Sequence, residues 1–395
     1  MNIQSIKNKN LQTLVLVTLV GFILRIWVSY YGYNSDFSSW EMNLKHFKAD
    51  ESIYTFGNFD YSPAWVYILY LIDFINIPIS NNNYLIENLP GSVFRLKLII
   101  FLSLIDFFIF YNLYKNYSLK IGLLFFINPI SIWITGFHNA FDNIPILLAF
   151  LAIIAYEKNK FKDKIIVPLL LLSLSIVVKH ILFFFPVWWA CKEKKLLNKI
   201  LILTVPYLIF AFSFIQFLPN EFSQVFHRFC CVYKFSNGPF WGMFGPKIIH
   251  MYFDLQTLFS IILIILGFLV VNKSLKESFL LYLMAIVAFS SMTYTQYLAI
   301  PLVALAIIWN RKCLIYTILV LLLYLLDGDQ LNIQLLREPL DWDLRSTRIA
   351  YYPIILILLL IFIENLLGKK KFKTYLENTI DFIVKKIKKS VYFKL

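Results

Sequence analysis

The feature that most constrains this chain is a succession of about a dozen apolar stretches, each close to the length that crosses a bilayer. Spanning roughly 30 Å of hydrocarbon takes about 20 apolar residues in a helix. Charged residues make up only 15% of the 395 residues, against roughly 25% in soluble domains, and the mean hydropathy is +0.70. The sequence therefore predicts an integral membrane protein, and it excludes a soluble enzyme, a disordered tail and a disulfide scaffold.

The lysines of the connectors between these stretches predict on which side each connector lies. Lys-rich connectors alternate with less basic ones, and the positive-inside rule places the Lys-rich ones in the cytoplasm. The Lys-rich connectors are 114–120, 157–164, 192–199, 272–277 and 311–312. The connectors that face outward are 31–62, 136–143, the turn at Lys179, 218–254, 292–297 and 327–349.

One part of the chain conflicts with this alternation. Candidate spans at 63–79 and 97–113 would return the chain to the outside, whereas the connector 114–120 should be inside. Either one of the two segments is re-entrant or interfacial, or the connector breaks the rule. We therefore predict 11 to 13 transmembrane helices.

The net charge of +14 does not indicate a nucleic-acid partner, because half of the excess lies in one terminal segment. Residues 369–395 hold nine lysines against Glu377 and Asp381. This tail is either a basic amphipathic helix on an anionic cytoplasmic membrane surface or a solvated positive-inside tail. No GxxxxGK[ST] or GxGxxG motif is present, which disfavours an ATP-driven pump.

Asp36 is the strongest candidate for a catalytic residue. It follows the first span within a few residues, so a partly desolvated carboxylate is expected at the membrane boundary, where it could act as a general base. The alternative is that Asp36 caps a helix that begins at Ser38 or Ser39. The following segment SSWEMNLKHF has the apolar spacing of an amphipathic interfacial helix.

Five segments, in order, resemble the GT-C glycosyltransferases, polytopic enzymes that take sugars from polyprenyl-phosphate carriers. The early Asp36, the amphipathic helix and FDYSPAWVYIL (59–69) resemble a first outward loop with an acidic catalytic residue. INPISIWITGFHNAFDNIPILLAFLA (127–152) resembles the Asn-Pro helix and polar turn of bacterial polyprenyl-phosphate mannosyltransferases and dolichol-dependent glucosyltransferases. The third segment, SIVVKHILFFFPVWWA (175–190), is similar to a Lys-bearing helix pair of these enzymes. The fourth, VFHRFCCVYKFSNGPFWGMF (225–244), is similar to their loop with an early Arg and a later Asn. The fifth, FSSMTYTQYLAIPLVAL (289–305), is similar to the Gln-Tyr segment of GPI-type mannosyltransferases.

The resemblance implies an all-α polytopic bundle of GT-C type, with one transmembrane domain over 1–368, interfacial helices in the first outward loop, and the tail 369–395. It implies transfer of a hexose, with mannose favoured, from a polyprenyl-phosphate carrier to a hydroxyl of a lipid or glycan acceptor, with inversion. Asp36 would be the general base. Cations for the lipid phosphate would be Arg228, Lys179 and Lys234, and the sugar or acceptor would meet His138, Asn139, Asp142, Asn237, Tyr294, Gln296 and Tyr297.

Each of these residues also has a structural interpretation. Lys179 could snorkel to the headgroups, Arg228 could be an interfacial anchor, and the cluster Tyr294, Gln296 and Tyr297 could belong to an aromatic belt. His138 could be an ordinary turn or interface histidine. Neither His138 with one nearby Asp nor Asp341 with Asp343 amounts to a metal site, so no metal or other cofactor is predicted.

The composition, rich in Lys, Asn, Ile and Phe, suggests an AT-rich bacterial genome. We therefore expect a multi-pass protein of the bacterial inner membrane whose active site faces the periplasm or exterior. Two other functions remain open: a lipid or sugar transporter, and a surface-polysaccharide ligase or polymerase. Only the glycosyltransferase requires the carboxylate of Asp36. The oligomeric state is left open by the sequence.

Overall fold

The computed structural model describes residues 3–55, 59–75, 93–158, 165–230, 238–243, 254–328, 330–331, 333–372 and 374. These residues form helices and no strand, which confirms the all-α fold for the described part of the chain. The α-helices are α1 Ile3–Ser29, α2 Ser35–Lys48, α3 Pro63–Phe74, α4 Val93–Asn116, α5 Leu119–Phe126, α6 Pro129–Trp133, α7 Asn143–Lys158, α8 Ile166–Val178, α9 Phe185–Ala190, α10 Leu196–Phe212, α11 Leu218–Cys230, α12 Pro239–Gly242, α13 Leu255–Leu269, α14 Leu275–Ala288, α15 Leu302–Ile307, α16 Arg311–Leu326, α17 Gln334–Arg337 and α18 Leu344–Leu367. A π-helix over Ile134–His138 continues α6, and 3₁₀ turns cover His180–Leu182, Thr295–Ala299 and Glu338–Leu340.

Local sequence signals start many of these helices. Ser274 and Glu277 form a reciprocal capping box at α14, and Asn128 caps α6 immediately before Pro129. Such side chains satisfy the backbone N–H groups that a first helical turn leaves unpaired. The polar connectors therefore define where the apolar helices begin.

Three of the Lys-rich connectors, 114–120, 192–199 and 272–277, meet at one end of the molecule, which we call the lysine end. Lys276 Nζ lies 4.0 Å from the centroid of the Tyr117 ring, so connectors 114–120 and 272–277 are adjacent. Lys192 Nζ donates to the Lys273 carbonyl at 2.7 Å, and Lys273 Nζ donates to the Asn365 carbonyl at 3.0 Å. The connector 114–120 thus lies with the other Lys-rich connectors.

Described residues of the connectors 31–62, 136–143 and 292–297, which were predicted to face outward, meet at the opposite end, which we call the loop end. Asn34 Nδ2 lies 2.7 Å from His138 Nδ1, and the Tyr324 hydroxyl donates to the Thr295 carbonyl at 3.1 Å. The described chain passes twelve times between the two ends. The passes are α1, α4, α5 with α6 and the π-helix, α7, α8, residues 180–190, α10, α13, α14, residues 295–307, α16 and α18.

Within the part of the chain that the structure describes, two helical segments are long and apolar enough to cross a membrane by themselves, Gln12–Ser29 and Thr347–Leu367. A third is added if Leu119–Phe126 and Pro129–His138, which meet at a bend of 46°, count as one broken span. Several further apolar helices have 10 to 17 residues. The number of membrane crossings therefore stays a prediction.

Helix α3 does not pass between the two ends, so the candidate span at 63–79 is wrong over its described part. Ser62, just before α3, donates from its hydroxyl to the Val177 carbonyl near the loop end of α8. At the other terminus of α3, the Asp73 carbonyl accepts a 2.9 Å hydrogen bond from Lys97 Nζ, in the first turns of α4. Both termini thus lie at the loop end, which favours the interfacial alternative and removes the conflict over the connector 114–120.

Candidate functional site

A cavity of about 920 Å³ lies at the loop end. Its wall is mainly polar. It comes from five connectors that were predicted to face outward: 31–62, 136–143, the turn at Lys179, 292–297 and 327–349. The contributing residues lie in 31–40, 60–61, 179–181, 293–297 and 327–330, with Phe137 and residues 347–351 completing the wall. Ligand sites commonly measure roughly 300–1,000 Å³, so this cavity has room for two reactants together.

Asp36 lies in the wall of this cavity, in the first turn of α2. The cap of α2 is Asn34, whose side chain accepts the Asp36 backbone N–H at 3.0 Å, so the alternative that Asp36 is the cap is wrong. Gln296 Nε2 donates to Asp36 Oδ2 at 2.8 Å. Among the described residues nothing hydrogen-bonds to Oδ1, which leaves that oxygen available to a ligand.

Burial raises the pKa of the Asp36 carboxyl above its ordinary value. The cation of Lys179 and the hydrogen bond from Gln296 oppose this rise, whereas the carboxylates of Asp142 and Asp60 add to it. A carboxylate whose basicity is increased in this way is better suited to accept a proton from a hydroxyl group.

Asn34 links Asp36 to the π-helix. Its Nδ2 group donates to His138 Nδ1 at 2.7 Å, because the Oδ1 oxygen of Asn34 already caps α2. His138 Nδ1 must then be the acceptor, which places the proton of a neutral imidazole on Nε2. His138 therefore holds the loop that carries Asp36.

Lys179 lines the cavity but is only 4% exposed. Its Nζ atom forms an ion pair with Asp142 Oδ1 at 2.8 Å and lies 4.6 Å from the centroid of the Phe141 ring. The snorkelling alternative is therefore wrong, because this ammonium group has a buried partner. Much of its charge is balanced by Asp142 before any ligand binds.

The predicted cluster in the connector 292–297 lies in the cavity wall. Tyr294, Gln296 and Tyr297 all line the cavity, and Gln296 also donates a hydrogen bond to Asp36. Tyr297 also lies 5.5 Å, ring centroid to Nζ, from Lys179. The structure thus brings together Asp36, Lys179 and this cluster from three distant parts of the chain.

His138, Asn139 and Asp142 lie one layer behind the wall, and the expectation that they line the pocket is not met for this cavity. His138 contacts Asn34 and Asp142 contacts Lys179, as described above. Asn139, fully buried with φ of 57°, accepts from Arg95 Nε at 2.9 Å and donates to the Thr135 carbonyl at 2.9 Å. These residues support wall residues instead of facing a ligand.

The remaining predicted residues cannot be placed. Arg228 belongs to α11, but its side chain lies outside the described part of the structure. Lys234 and Asn237 lie outside the described residues altogether. The cation that the cavity wall offers besides Lys179 is Arg348, which is exposed.

A second, apolar cavity of about 460 Å³ adjoins the first. The two cavities share lining residues, among them Asp60, His180 and Tyr294. Phenylalanines and aliphatic side chains from residues 181–184, Phe210, Phe259 and Leu263 form most of its surface. A polar compartment with a carboxylate thus opens beside an apolar one.

Arg95 was not predicted from the sequence, although it holds the site together. Its guanidinium donates to the carbonyls of Ser29, Gly32 and Gly136 and to the Asn139 side chain. It therefore joins the end of α1 and the start of the first outward loop to the π-helix. The signal that could have revealed it is an arginine inside the apolar segment VFRLKLII.

A second buried pair that was missed lies deeper in the bundle. Arg25 Nη2 lies 2.9 Å from Asp106 Oδ2, and both side chains are almost fully buried. Asp106 also accepts from Thr135 Oγ1 and Asn143 Nδ2, each at 2.6 Å. This pair ties α1 and α4 to the helices on both sides of the turn at His138.

Among the described residues, no group of three or more His, Cys, Asp and Glu side chains could hold a metal ion. In comparisons with protein-family models, curated proteins and solved structures, nothing matches the chain.

Proposed function

We propose that this chain is a multi-pass membrane glycosyltransferase of GT-C type. It transfers a hexose, with mannose favoured, from a polyprenyl-phosphate carrier to a hydroxyl group of a lipid or glycan acceptor, with inversion and with Asp36 as the general base. Its site faces the outer side of a bacterial inner membrane. The support comes from the cavity and from the separation of the connectors into two ends.

The observation that carries the proposal is one half-buried carboxylate, Asp36, in the wall of a polar cavity that adjoins an apolar one. Asp36 lines the polar cavity, which has room for two sugars, and the adjoining apolar cavity offers a surface for the first isoprene units of the carrier. A lipid-linked sugar has these same two parts, one polar and one apolar. A water-soluble nucleotide sugar would leave the apolar compartment unused.

The chemistry assigned to Asp36 is proton abstraction. Its Oδ1 accepts the proton of the acceptor hydroxyl. At the same time the oxygen of that hydroxyl attacks the anomeric carbon from the face opposite the phosphate. The bond from the anomeric carbon to the phosphate oxygen breaks, and the polyprenyl phosphate leaves with the electron pair. The raised pKa of Asp36 favours this proton transfer, and Gln296 holds the carboxylate in a fixed orientation.

The separation of the two ends supports an outward-facing site. The cavity lies at the loop end, and the Lys-rich connectors lie at the lysine end. By the positive-inside rule the lysine end belongs in the cytoplasm, which places the cavity on the other side of the membrane.

The test is transfer of radiolabelled sugar from polyprenyl-phosphate mannose by the purified chain, with polyprenyl-phosphate glucose as a second donor. Asp36→Asn is expected to keep the fold and to lower kcat by about 10²- to 10⁴-fold. The matched control is Glu41→Gln, which removes a carboxylate from the same helix outside the cavity wall. Wild-type turnover by the Asn variant, or no transfer from either donor by the wild-type chain, would contradict the proposal.

A further inference from the structure

Three tyrosines with exposed rings stand in the wall of the polar cavity. Tyr31 is 52% exposed, Tyr33 39% and Tyr294 38%. Among the described residues their hydroxyl groups make no hydrogen bond. Exposed aromatic rings at the boundary of a membrane protein commonly form an interfacial belt, so their exposure alone does not indicate a ligand.

The packing of these rings distinguishes them from freely rotating side chains. Tyr33 meets the ring of Phe37 edge-on at a centroid distance of 5.4 Å, and Tyr294 meets Tyr297 in the same way at 5.5 Å. Tyr31 packs edge-on against Trp27 at 5.3 Å. Each ring therefore packs against a second aromatic ring while a large part of its surface stays open. Preorganised rings of this kind bind a flat apolar surface at low entropic cost.

The other groups in the wall complement a sugar rather than an apolar ligand. Asn34 and Gln296 contribute amides, and Ser39 and Thr293 contribute hydroxyl groups. A pyranose has an apolar C–H face that stacks on an aromatic ring and a rim of hydroxyl groups that hydrogen-bond to such side chains.

The charged groups of the wall restrict which sugar can bind. Three carboxylates, Asp36, Asp60 and Asp327, line the cavity. Of the described cations that line it, Lys179 is already paired with Asp142, and Arg348 is the other one that could meet the phosphate of the donor. Among the described residues of the wall, a second anionic group on the acceptor would meet more carboxylates than cations, and repulsion between like charges is costly at low dielectric.

From these observations we propose that the acceptor is a neutral saccharide, free or as the headgroup of a glycolipid, and that it stacks on Tyr31, Tyr33 and Tyr294 at the mouth of the cavity. The inference rests on the proposed glycosyltransferase function and specifies its second substrate. It disfavours hydroxyl groups of proteins and sugars that carry a carboxylate or phosphate.

The chain offers a matched control for the stacking. Tyr70 is also 39% exposed and also packs edge-on against a phenylalanine, Phe47, at 5.7 Å, but it does not line the cavity. Tyr33 also lies against the guanidinium of Arg95, with 5.2 Å from Arg95 Cζ to the ring centroid, so a loss of kcat alone would report on Arg95 and the acceptor KM is the readout for stacking. If exposed tyrosines serve only as interfacial anchors, Tyr33→Ala and Tyr70→Ala should leave the acceptor KM equal. If Tyr33 stacks on the acceptor, the two variants should differ.

The experiment measures transfer to three acceptors, octyl mannoside, octyl glucuronide and a serine-containing peptide, together with hydrolysis of the donor when no acceptor is present. We expect transfer to the neutral glycoside at the highest kcat/KM. Tyr33→Ala should raise its KM roughly three- to tenfold, the range expected for one lost aromatic contact. Tyr33→Phe, which keeps the ring, should raise it less, and Tyr70→Ala should leave it unchanged. Donor hydrolysis should continue in Tyr70→Ala, which lies outside the cavity wall.

The outcomes separate this inference from the proposed function. Donor turnover with the glucuronide or the peptide as the better acceptor would overturn the inference and leave the glycosyltransferase intact. Equal behaviour of Tyr33→Ala and Tyr70→Ala would overturn the stacking and assign both rings to the interface. Absence of both donor hydrolysis and transfer in the wild-type chain would overturn the function and the inference together.

Discussion

Gln296 Nε2 donates a 2.8 Å hydrogen bond to Oδ2 of Asp36, from a residue 260 positions further along the chain. The amide thereby fixes one oxygen of the carboxylate in the wall of the cavity. It also favours the charged form of Asp36, in opposition to the effect of burial. Orientation and basicity of the same group thus depend on one side chain from another connector.

Removing this hydrogen bond should change both the rate and its pH dependence. Gln296→Ala is expected to lower kcat about tenfold or more, since a hydrogen bond to a charged group is worth roughly 1.5–3 kcal/mol. The hydrogen bond lowers the pKa of Asp36, so its loss raises that pKa, and the acid limb of the kcat profile should move to higher pH. Gln334→Ala, an exposed position outside the wall, is the control. An unchanged acid limb would contradict the assignment of that limb to Asp36.

Asp60→Asn should shift the same limb in the opposite direction. The charge of Asp60 raises the pKa of Asp36, so its removal lowers that pKa and Asp36 stays ionised to lower pH. The acid limb should therefore move to lower pH. Asp50→Asn provides a control in the same outward loop, at a left-handed position that asparagine tolerates. A shift to higher pH would mean that another group titrates in that limb.

The pair Lys179 and Asp142 should behave as one unit in stability. Lys179→Met leaves a buried carboxylate without its partner, and such a loss costs about 3–5 kcal/mol. The double variant Lys179→Met with Asp142→Asn should recover most of the lost thermal stability in detergent. If Lys179 also contacts the donor phosphate, the double variant keeps a raised donor KM. Equal destabilisation of the single and double variants would show that the two side chains are not coupled.

Arg95→Lys should lower kcat about tenfold while the KM of both substrates stays the same. A lysine can reach one carbonyl, but it cannot donate to Ser29, Gly32, Gly136 and Asn139 together, so the first outward loop loses its fixed position. Lys97→Gln removes a cation from the same helix that donates only to the Asp73 carbonyl, and it serves as control. A rise in KM, or a fall in thermal stability without a change in kcat, would assign Arg95 a purely structural role.

Thiol labelling tests whether the two ends lie on opposite sides of a membrane. In a variant in which the native cysteines are replaced, Ser35→Cys and Gln334→Cys should react with an impermeant reagent from outside. Lys194→Cys should react only after the membrane is opened. All three positions are exposed and therefore accessible to the reagent. Labelling of Ser35→Cys and Lys194→Cys from the same side would contradict the proposed topology.

Most of the fold could be predicted from the sequence because it depends on local properties. The distribution of lysines separated the connectors into two groups, and the structure gathers these groups at two ends. The wrong candidate span at 63–79 has a physical reason: α3 is apolar, but Trp65 stacks on Phe141 at the loop end, with ring centroids 3.7 Å apart. Composition alone does not distinguish burial against protein from burial in lipid.

The site was predicted only in part, because partners far apart in sequence decide the role of each side chain. Asp36, Lys179 and Gln296 were recognised as unusual polar residues at connectors, and they do share one cavity. The pairing of Lys179 with Asp142 follows from the fold and not from either residue's neighbours in sequence. Asn139 was expected to face a ligand because its hydrogen bond from Arg95, a residue 44 positions away, is not visible in the sequence.

The buried contact between Arg25 and Asp106 has a consequence for how such a chain is made. The two residues are 81 positions apart, so the first helix is complete well before its acidic partner is synthesised. At roughly 5–20 residues per second, the guanidinium would wait about 4 to 16 s for Asp106. If the chain spans a membrane as proposed, an unpaired arginine in the nascent α1 is costly in hydrocarbon, so α1 is expected to remain beside the translocation machinery until α4 arrives. Assembly of this bundle would then begin with a delayed release of its first segment.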